Sequence, residues 1–282
     1  MLLKDFKQKF IAELKGDYPK EEVNSFFNIL TEAFLGLSRL DLALQPARDL
    51  SEAELKKFED SLSRLQQHEP VQYITGKKEF FGLQFRVNPH VLIPRPETEE
   101  LVQRILDDLH EKKDQELRIL DVGTGSGCIA ISLAKNLPQA KVTAMDISEG
   151  ALQTAQENAE LNSVKVKFLK KDVLQLKELE DQYDIIVSNP PYVRELEKKE
   201  MQRNVLEFEP KTALYVDDDS PLIFYQKISE LAARNLLPGG AVYFEINQYL
   251  ATETERILAE KDFRTRLKKD IFGVYRMLKG EK

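Results

Sequence analysis

The sequence predicts an α/β protein. Its main part is a doubly wound, mostly parallel sheet of seven strands, preceded by a small helical bundle and joined to it by a β-hairpin. Three observations lead there. Beyond residue 94, short apolar runs alternate with amphipathic helices, the pattern of parallel strands covered on both faces. Residues 1–69 repeat apolar side chains at helical spacing and hold only Gly16 and Gly36 as glycines. Between these regions, residues 77–93 are rich in aromatic and β-branched side chains and broken by Gly82 and Asn88-Pro89. The expected organisation is a helical domain over 1–76, a hairpin linker over 77–93 and the sheet domain over 94–282.

Each element has its own warrant. Leu3, Phe6, Phe10 and Leu14 form one apolar stripe, and Val23, Phe26, Phe27, Leu30 and Phe34 form a second. Ser51 followed by Glu54 announces a capping box before Leu55, Phe58, Leu62 and Leu65. Pro96, with Glu97, Glu99 and Glu100, opens the first helix of the sheet domain, because a fixed φ and early acids suit a helix N-terminus. Strands are expected at 117–122, 141–145, 165–169, 183–188 and 241–246, and helices at 127–136, 148–161 and 220–236. A closing antiparallel pair is expected near 263–268 and 271–278, around Gly273.

Composition narrows the function. The 282 residues carry 41 Lys and Arg against 48 Asp and Glu, a net charge of -7, which argues against wholesale electrostatic binding of nucleic acid. Cys128 has no partner for an internal disulfide, and His68, His90 and His110 lack metal-ligand spacing. No apolar run approaches the roughly 18 residues of a membrane span, and charges inside MLLKDFKQKF argue against a signal peptide. The expectation is a cytoplasmic, metal-free protein that stays off membranes.

The first strand ends in Asp121-Val-Gly123-Thr124-Gly125-Ser126-Gly127. Alternating glycines let the backbone turn sharply and approach a ligand, and the helix that follows supplies oriented N–H groups. A dinucleotide fingerprint would be G-x-G-x-x-G, but here the third glycine comes one residue early and Cys128 stands in its place. Asp121 suits a ligand bearing an ammonium rather than a pyrophosphate. The pattern resembles that of class I S-adenosylmethionine-dependent methyltransferases. Asp146, ending the second strand, can accept both hydroxyls of a ribose; a helix N-cap is its plainer role, although Ser148 can serve there. After the third strand, Asp172 and Val173 could take an adenine amino group and its ring face, or Asp172 could be a solvated turn acid.

The fourth strand ends in Ser188-Asn189-Pro190-Pro191-Tyr192, the most specific feature of the chain. Two successive prolines stiffen Asn189 and Pro190 at the sheet edge. The Asn189 side-chain oxygen and the Pro190 carbonyl can then serve as two acceptors for a planar NH2 group, with the Tyr192 ring as a face to lie against. Such a device suits methylation of an amide or aryl amine nitrogen, whose lone pair is delocalised and weakly nucleophilic. Residues 192–220, charged and poor in apolar periodicity, are expected to form a partly mobile flap over the substrate.

N-P-P-Y alone fits adenine-amine methyltransferases and protein-glutamine methyltransferases alike. The surrounding segments favour the second. They are Pro70 to Gly76, Glu79 to Gly82, Val91 to Glu99, Glu207 to Pro210 with Ala213-Leu214, Leu237 to Gly240 and Phe244 to Ile246. Together they resemble the HemK-like family of peptide-chain release factor glutamine methyltransferases over nearly the whole chain. The resemblance implies a seven-stranded methyltransferase sheet, S-adenosyl-L-methionine as donor (S-adenosyl-L-homocysteine as product) and class I release factors as protein substrates. Their Gly-Gly-Gln glutamine would receive the methyl group, and the helical N-terminal domain would help hold them. By position it assigns Asp121, Gly123, Thr124, Gly125, Ser126, Gly127, Asp146, Asp172, Val173 and Asn189 to the cofactor. It assigns Asn189, Pro190, Pro191 and Tyr192 to the glutamine, with Asn189, Pro190 and Tyr192 catalytic and Arg95 near the substrate mouth. A monomer without stable nucleic-acid binding is expected. Where the family tends to have E-I-G, this chain reads Glu245-Ile246-Asn247, and Asn247 is expected to keep the turn through its tolerance of left-handed φ.

Two rival readings remain at this point. A DNA or RNA adenine methyltransferase would need a basic groove and a base-reading segment, for which an acidic chain leaves little sequence. A non-catalytic adenosyl-binding assembly factor would have no use for two acceptors aimed at an amine.

Overall fold

A computed structural model describes residues 1–44 and 48–282. The chain divides into two compact units, one of residues 1–76 with 202–208 and the other of residues 77–201 with 209–282.

The first unit holds α1 (Leu3–Leu14), α2 (Lys20–Leu35), α3 (Arg39–Leu44), α4 (Glu52–Gln66) and α5 (Val71–Thr75). The apolar stripes meet in one core: Phe6, Phe10, Phe27 and Phe58 are fully buried. Ring centroids lie 5.5 Å apart for Phe6–Phe58 and for Phe10–Phe27, a separation at which tilted aromatic pairs attract. Phe26 and Phe34 pack at its margin. The capping box forms, with the Ser51 N–H donating to Glu54 Oε2 at 2.8 Å and the Glu54 N–H to Ser51 Oγ at 3.3 Å. The sequence reading missed α3 and α5, because a helix of one turn is too short to show a period.

In the second unit a hairpin of β1 (Lys77–Phe80) and β2 (Leu83–Arg86) precedes α6 (Pro96–Asp108). The hairpin is no loose connector. Asn158, on a later helix over Glu149–Leu161, accepts the Arg86 N–H at 2.6 Å and donates to the Arg86 carbonyl at 3.0 Å, pinning β2 to that helix. There follow β3 (Arg118–Val122), α7 (Cys128–Asn136), β4 (Lys141–Asp146), α8 (Glu149–Leu161), β5 (Lys167–Lys170) and β6 (Tyr183–Ser188). Residues 192–220 fold into a series of short elements. These are β7 (Val193–Arg194), a 3-10 helix, α9 (Arg203–Phe208, in the first unit), α10 (Lys211–Leu214) and β8 (Tyr215–Val216), with β7 and β8 paired in parallel. The chain ends in α11 (Ile223–Asn235), β9 (Leu236–Glu245), α12 (Ala251–Ala259), β10 (Arg264–Lys269) and β11 (Tyr275–Glu281).

The seven-stranded sheet has the order β10-β11-β9-β6-β3-β4-β5. Its five strands from β9 to β5 run parallel, and β11 is antiparallel to both β9 and β10. Alternate side chains serve opposite faces, as the pleat requires. Ile119, Ile185, Val187 and Tyr243 pack toward α6 and α7, while Leu120, Ile186, Val242 and Phe244 pack toward α11 and α12. β9 starts at Leu236 rather than 241. Leu236 pairs with Tyr183 and Ala241 with Ile185, so Pro238-Gly239-Gly240 is accommodated as a bulge. Among the described residues, no helix is long and apolar enough to cross a membrane.

Candidate active site

Strand register assembles the site. Val122 pairs with Met145 on one side and with Ser188 on the other, and Ser188 pairs with Phe244. Gly123, Asp146, Asn189 and Glu245 therefore lie at one level of the carboxyl edge. That level spans β3 and β6, where the winding reverses and where open α/β sheets bind their ligands. A cleft of about 870 Å³, counting its open mouth, lies there. Gly123, Thr124, Gly125, Ser126, Asp146, Asn189, Pro191 and Arg95 line it; Asp121, Gly127, Asp172, Val173, Pro190 and Tyr192 do not. A larger hollow at the opposite edge is formed by strand starts such as Arg118, Lys141 and Lys167, and none of this loop chemistry reaches it.

The glycine loop turns tightly: the Gly127 N–H donates to the Thr124 carbonyl at 2.8 Å, and α7 starts at the next residue. Gly127 has φ +81, and a Cβ there would stand 2.8 Å from Ile131 Cδ1 and 3.1 Å from Ala155 Cβ. The position admits only glycine without movement of α7 or α8.

Asp121 lies wholly buried beneath this loop. Its Oδ2 accepts the Thr124 hydroxyl at 2.6 Å, while Oδ1 has no partner. Burial, only partly opposed by the Thr124 hydroxyl and the Ala130 N–H, pushes its carboxyl up to about 7 from an ordinary 3.8. The carboxyl is sealed from the cleft, so it can act on a cationic ligand such as the ammonium of S-adenosylmethionine only through the loop above it. It also fixes a pH dependence. An acid whose pKa is raised in the fold contributes stability that is complete below its ordinary pKa and is lost as pH rises through 7. Some three units correspond to about 4 kcal/mol at most. Without cofactor, the thermal midpoint should therefore fall between pH 5 and pH 8, and Asp121→Asn should flatten that fall while weakening cofactor binding. Equal pH slopes in calorimetric melts of the two proteins would refute the assignment.

Asp146 is already in use. Its Oδ2 accepts the Gly125 N–H at 2.9 Å and its Oδ1 the Ser148 N–H at 2.9 Å. Burial raises its carboxyl and these backbone bonds lower it. Ser148 caps α8 through the Ala151 N–H, so the acid straps the loop rather than capping the helix. Each oxygen keeps a second lone pair for a ligand. Asp172 caps a short 3-10 turn by accepting the Leu174 N–H at 3.0 Å, and Val173 is buried in the α11 and α12 layer.

The tetrapeptide is tied from behind. Asn189 Nδ2 donates to Thr98 Oγ1 at 3.2 Å, and the Thr98 hydroxyl donates to Glu245 Oε2 at 2.6 Å. The Tyr192 hydroxyl donates to Glu245 Oε1 at 2.9 Å. Burial pushes the Glu245 carboxyl up, opposed by these two hydroxyls and by the Arg276 charge. Burial and the neighbouring Glu245 charge raise the Tyr192 phenol well above its ordinary value, so it stays a donor. Asn247 has φ -67, not the left-handed turn expected of it. It works instead through its amide, donating to the Tyr192 carbonyl at 2.9 Å and to Glu197 Oε2 at 3.0 Å. Arg95 reaches Glu209, a buried acid that also accepts the Ile93 N–H, at 2.5 Å.

Thr98, Glu245, Asn247 and Glu209 escaped the sequence reading as site residues. One signal was present. Glu245 interrupts AVYFEI, a run that a central strand covered on both faces should keep apolar.

Family models match at two places, a methyltransferase small domain over residues 99–212 and a PrmC N-terminal domain over residues 7–76. The release factor glutamine methyltransferase of Flavobacterium psychrophilum is 53% identical over 281 residues, 99% of each chain. That of Bacteroides thetaiotaomicron is 48% identical, over 94% of this chain and 95% of its own. A solved structure of the T. Thermophilus 16S rRNA N2 G1207 methyltransferase superposes with a TM-score of 0.55. It covers 73% of this chain and 49% of that one at 24% identity, a likeness of fold. With near half-identity across almost its entire length, the chain belongs to the release factor glutamine methyltransferase family.

Proposed function

We propose that this chain methylates the side-chain amide nitrogen of the glutamine in the Gly-Gly-Gln motif of class I release factors. The observation that carries the chemistry is the state of Asn189. Its Nδ2 is committed to Thr98, and the same side chain lines the cleft beside the glycine loop. That leaves Oδ1 as an acceptor for an amine. The likeness to release factor glutamine methyltransferases supports the substrate.

When bound, S-adenosylmethionine supplies an electrophilic methyl group. Gly123 to Ser126 and Asp146, which line the cleft, would hold it, with Asp146 at the ribose; Asp121 would act on the ammonium from beneath the loop, and Asp172 with Val173 would serve the adenine from outside the lining. The substrate amide nitrogen is a poor nucleophile, since its lone pair is shared with the carbonyl. Asn189 Oδ1 and the Pro190 carbonyl accept its two N–H bonds, fix its direction and push electron density onto it. Burial removes competing water. The Tyr192 ring, held through its hydroxyl by Glu245, backs the planar group. Arg95 and Pro191 border the mouth.

The helical unit would grip the release factor. We read the enzyme as a cytoplasmic monomer that binds neither nucleic acid nor membrane stably. A tritium-transfer assay offering release factor, DNA and RNA in parallel tests the proposal. Label should enter the release factor and vanish when its motif glutamine is replaced. Label in nucleic acid alone would restore the adenine reading, and no transfer at all would favour the assembly factor.

A further inference from the structure

We propose that Thr98 and Glu245 are positioning residues, a buried carboxylate and hydroxyl relay that sets which way the Asn189 amide faces and strengthens its oxygen as an acceptor. The inference rests on the reading of Asn189 given above.

An asparagine side chain can be turned over at little steric expense, exchanging donor for acceptor. At Asn189 the exchange would abolish the device, because an NH2 group facing the substrate NH2 repels it. The neighbours decide the matter. Thr98 has one hydroxyl proton and spends it on Glu245 Oε2 at 2.6 Å. Towards Asn189, 3.2 Å away, it therefore offers only lone pairs, which only Nδ2 can use. The amide oxygen is left to point elsewhere.

Glu245 makes this direction permanent. Both its oxygens receive hydroxyls, one from Thr98 and one from Tyr192, so a single acid in the core orders the first and last members of the tetrapeptide. Thr98 and Glu245 are each 2% exposed. Hydrogen bonds in such a chain polarise one another. Drawing on the Nδ2 proton shifts electron density towards Oδ1, where positive charge on the substrate N–H must be met.

The fold supplies the three parts from distant stretches of sequence. Thr98 stands in the first turn of α6, Asn189 just past β6 and Glu245 at the end of β9. β9 lies next to β6 in register, and α6 packs over that face of the sheet.

The decisive comparison is Thr98→Val against Thr98→Ser, with Glu245→Gln as a third arm. Valine keeps the shape and loses the hydroxyl; serine keeps the hydroxyl. Single-turnover methylation should fall about 10- to 100-fold in Thr98→Val, the range for a hydrogen bond tied to a charge, and recover to within about threefold in Thr98→Ser. Glu245→Gln should resemble Thr98→Val, and the double variant should be no worse than either alone. Cofactor affinity and the release-factor Michaelis constant should stay within about twofold throughout. A second readout does not depend on turnover. In protein labelled with nitrogen-15 asparagine, the Asn189 side-chain NH2 resonance should move in Thr98→Val and Glu245→Gln but not in Thr98→Ser.

Wild-type turnover with an unmoved resonance in Thr98→Val would overturn the relay, and so would equal loss in valine and serine. If Glu245→Gln does not fold, the Thr98 pair alone decides. Failure of the underlying reading looks different: wild-type enzyme would then leave the release factor unlabelled.

Discussion

Asn189→Ala should slow single-turnover methylation of a full-length release factor by roughly 100- to 1,000-fold, or 3–4 kcal/mol of barrier, the loss expected for one preorganised electrostatic contact. Cofactor affinity should fall far less, because Asn189 is one member of a wall that the glycine loop and Asp146 dominate. The Michaelis constant for the release factor should change little, since most of the docking surface lies elsewhere. Asn189→Asp is the more telling variant. It keeps an acceptor oxygen and so should outperform alanine. It cannot donate to Thr98, however, and it adds a second acid near Glu245, so it should not reach wild-type rate. Titrations of both ligands alongside the rate measurement make the outcome clear. A variant that turns over normally once saturated would mean that Asn189 only helps binding, and the mechanism would fall.

Asp146→Ala should weaken S-adenosylmethionine binding by about 1.5–3 kcal/mol, roughly 10- to 150-fold, the scale of hydrogen bonds to a charged group. Two contributions combine there. The carboxylate offers lone pairs to the ribose, and it also holds the Gly125 and Ser148 N–H groups at 2.9 Å. Without it the loop must be ordered by the cofactor itself, and that ordering is subtracted from affinity. Asp146→Asn keeps one acceptor oxygen and should recover part of the loss. Calorimetric titration separates these results. Unchanged affinity in Asp146→Ala would place the ribose elsewhere.

The elements were legible in the sequence wherever a physical period or a stiff local motif wrote them. The helix stripes, the five parallel strand runs, the Ser51 capping box and the Pro-Pro turn all belong to that class. So did the residues that a loop or strand end must place at a sheet edge: Gly123, Asp146 and Asn189 do meet there. What the sequence could not display is pairing across long separations. Thr98 and Glu245 are 147 residues apart and touch only because α6 packs over β9. Asp146 read as a free ribose acceptor because nothing local reveals that Gly125 would claim it. Asn247 read as a tolerant turn former because its amide partners, Tyr192 and Glu197, lie some fifty residues upstream. Short helices such as α3 and α5 stayed hidden for a simpler reason, having too few residues to repeat anything.

The membership of residues 202–208 in the helical unit has a consequence for how the protein is made. On the ribosome the first 76 residues emerge early, with their aromatic core already encoded. Their last partner, α9, leaves the exit tunnel only after β3, β4, β5 and β6 have been synthesised. Vectorial synthesis lets an early domain fold before a later one begins, but here residues 202–208 of the early unit are not yet made until the central strands are out. Its completion is thus a late event in biogenesis, timed to the arrival of the Asn-Pro-Pro-Tyr turn that the same stretch of chain follows.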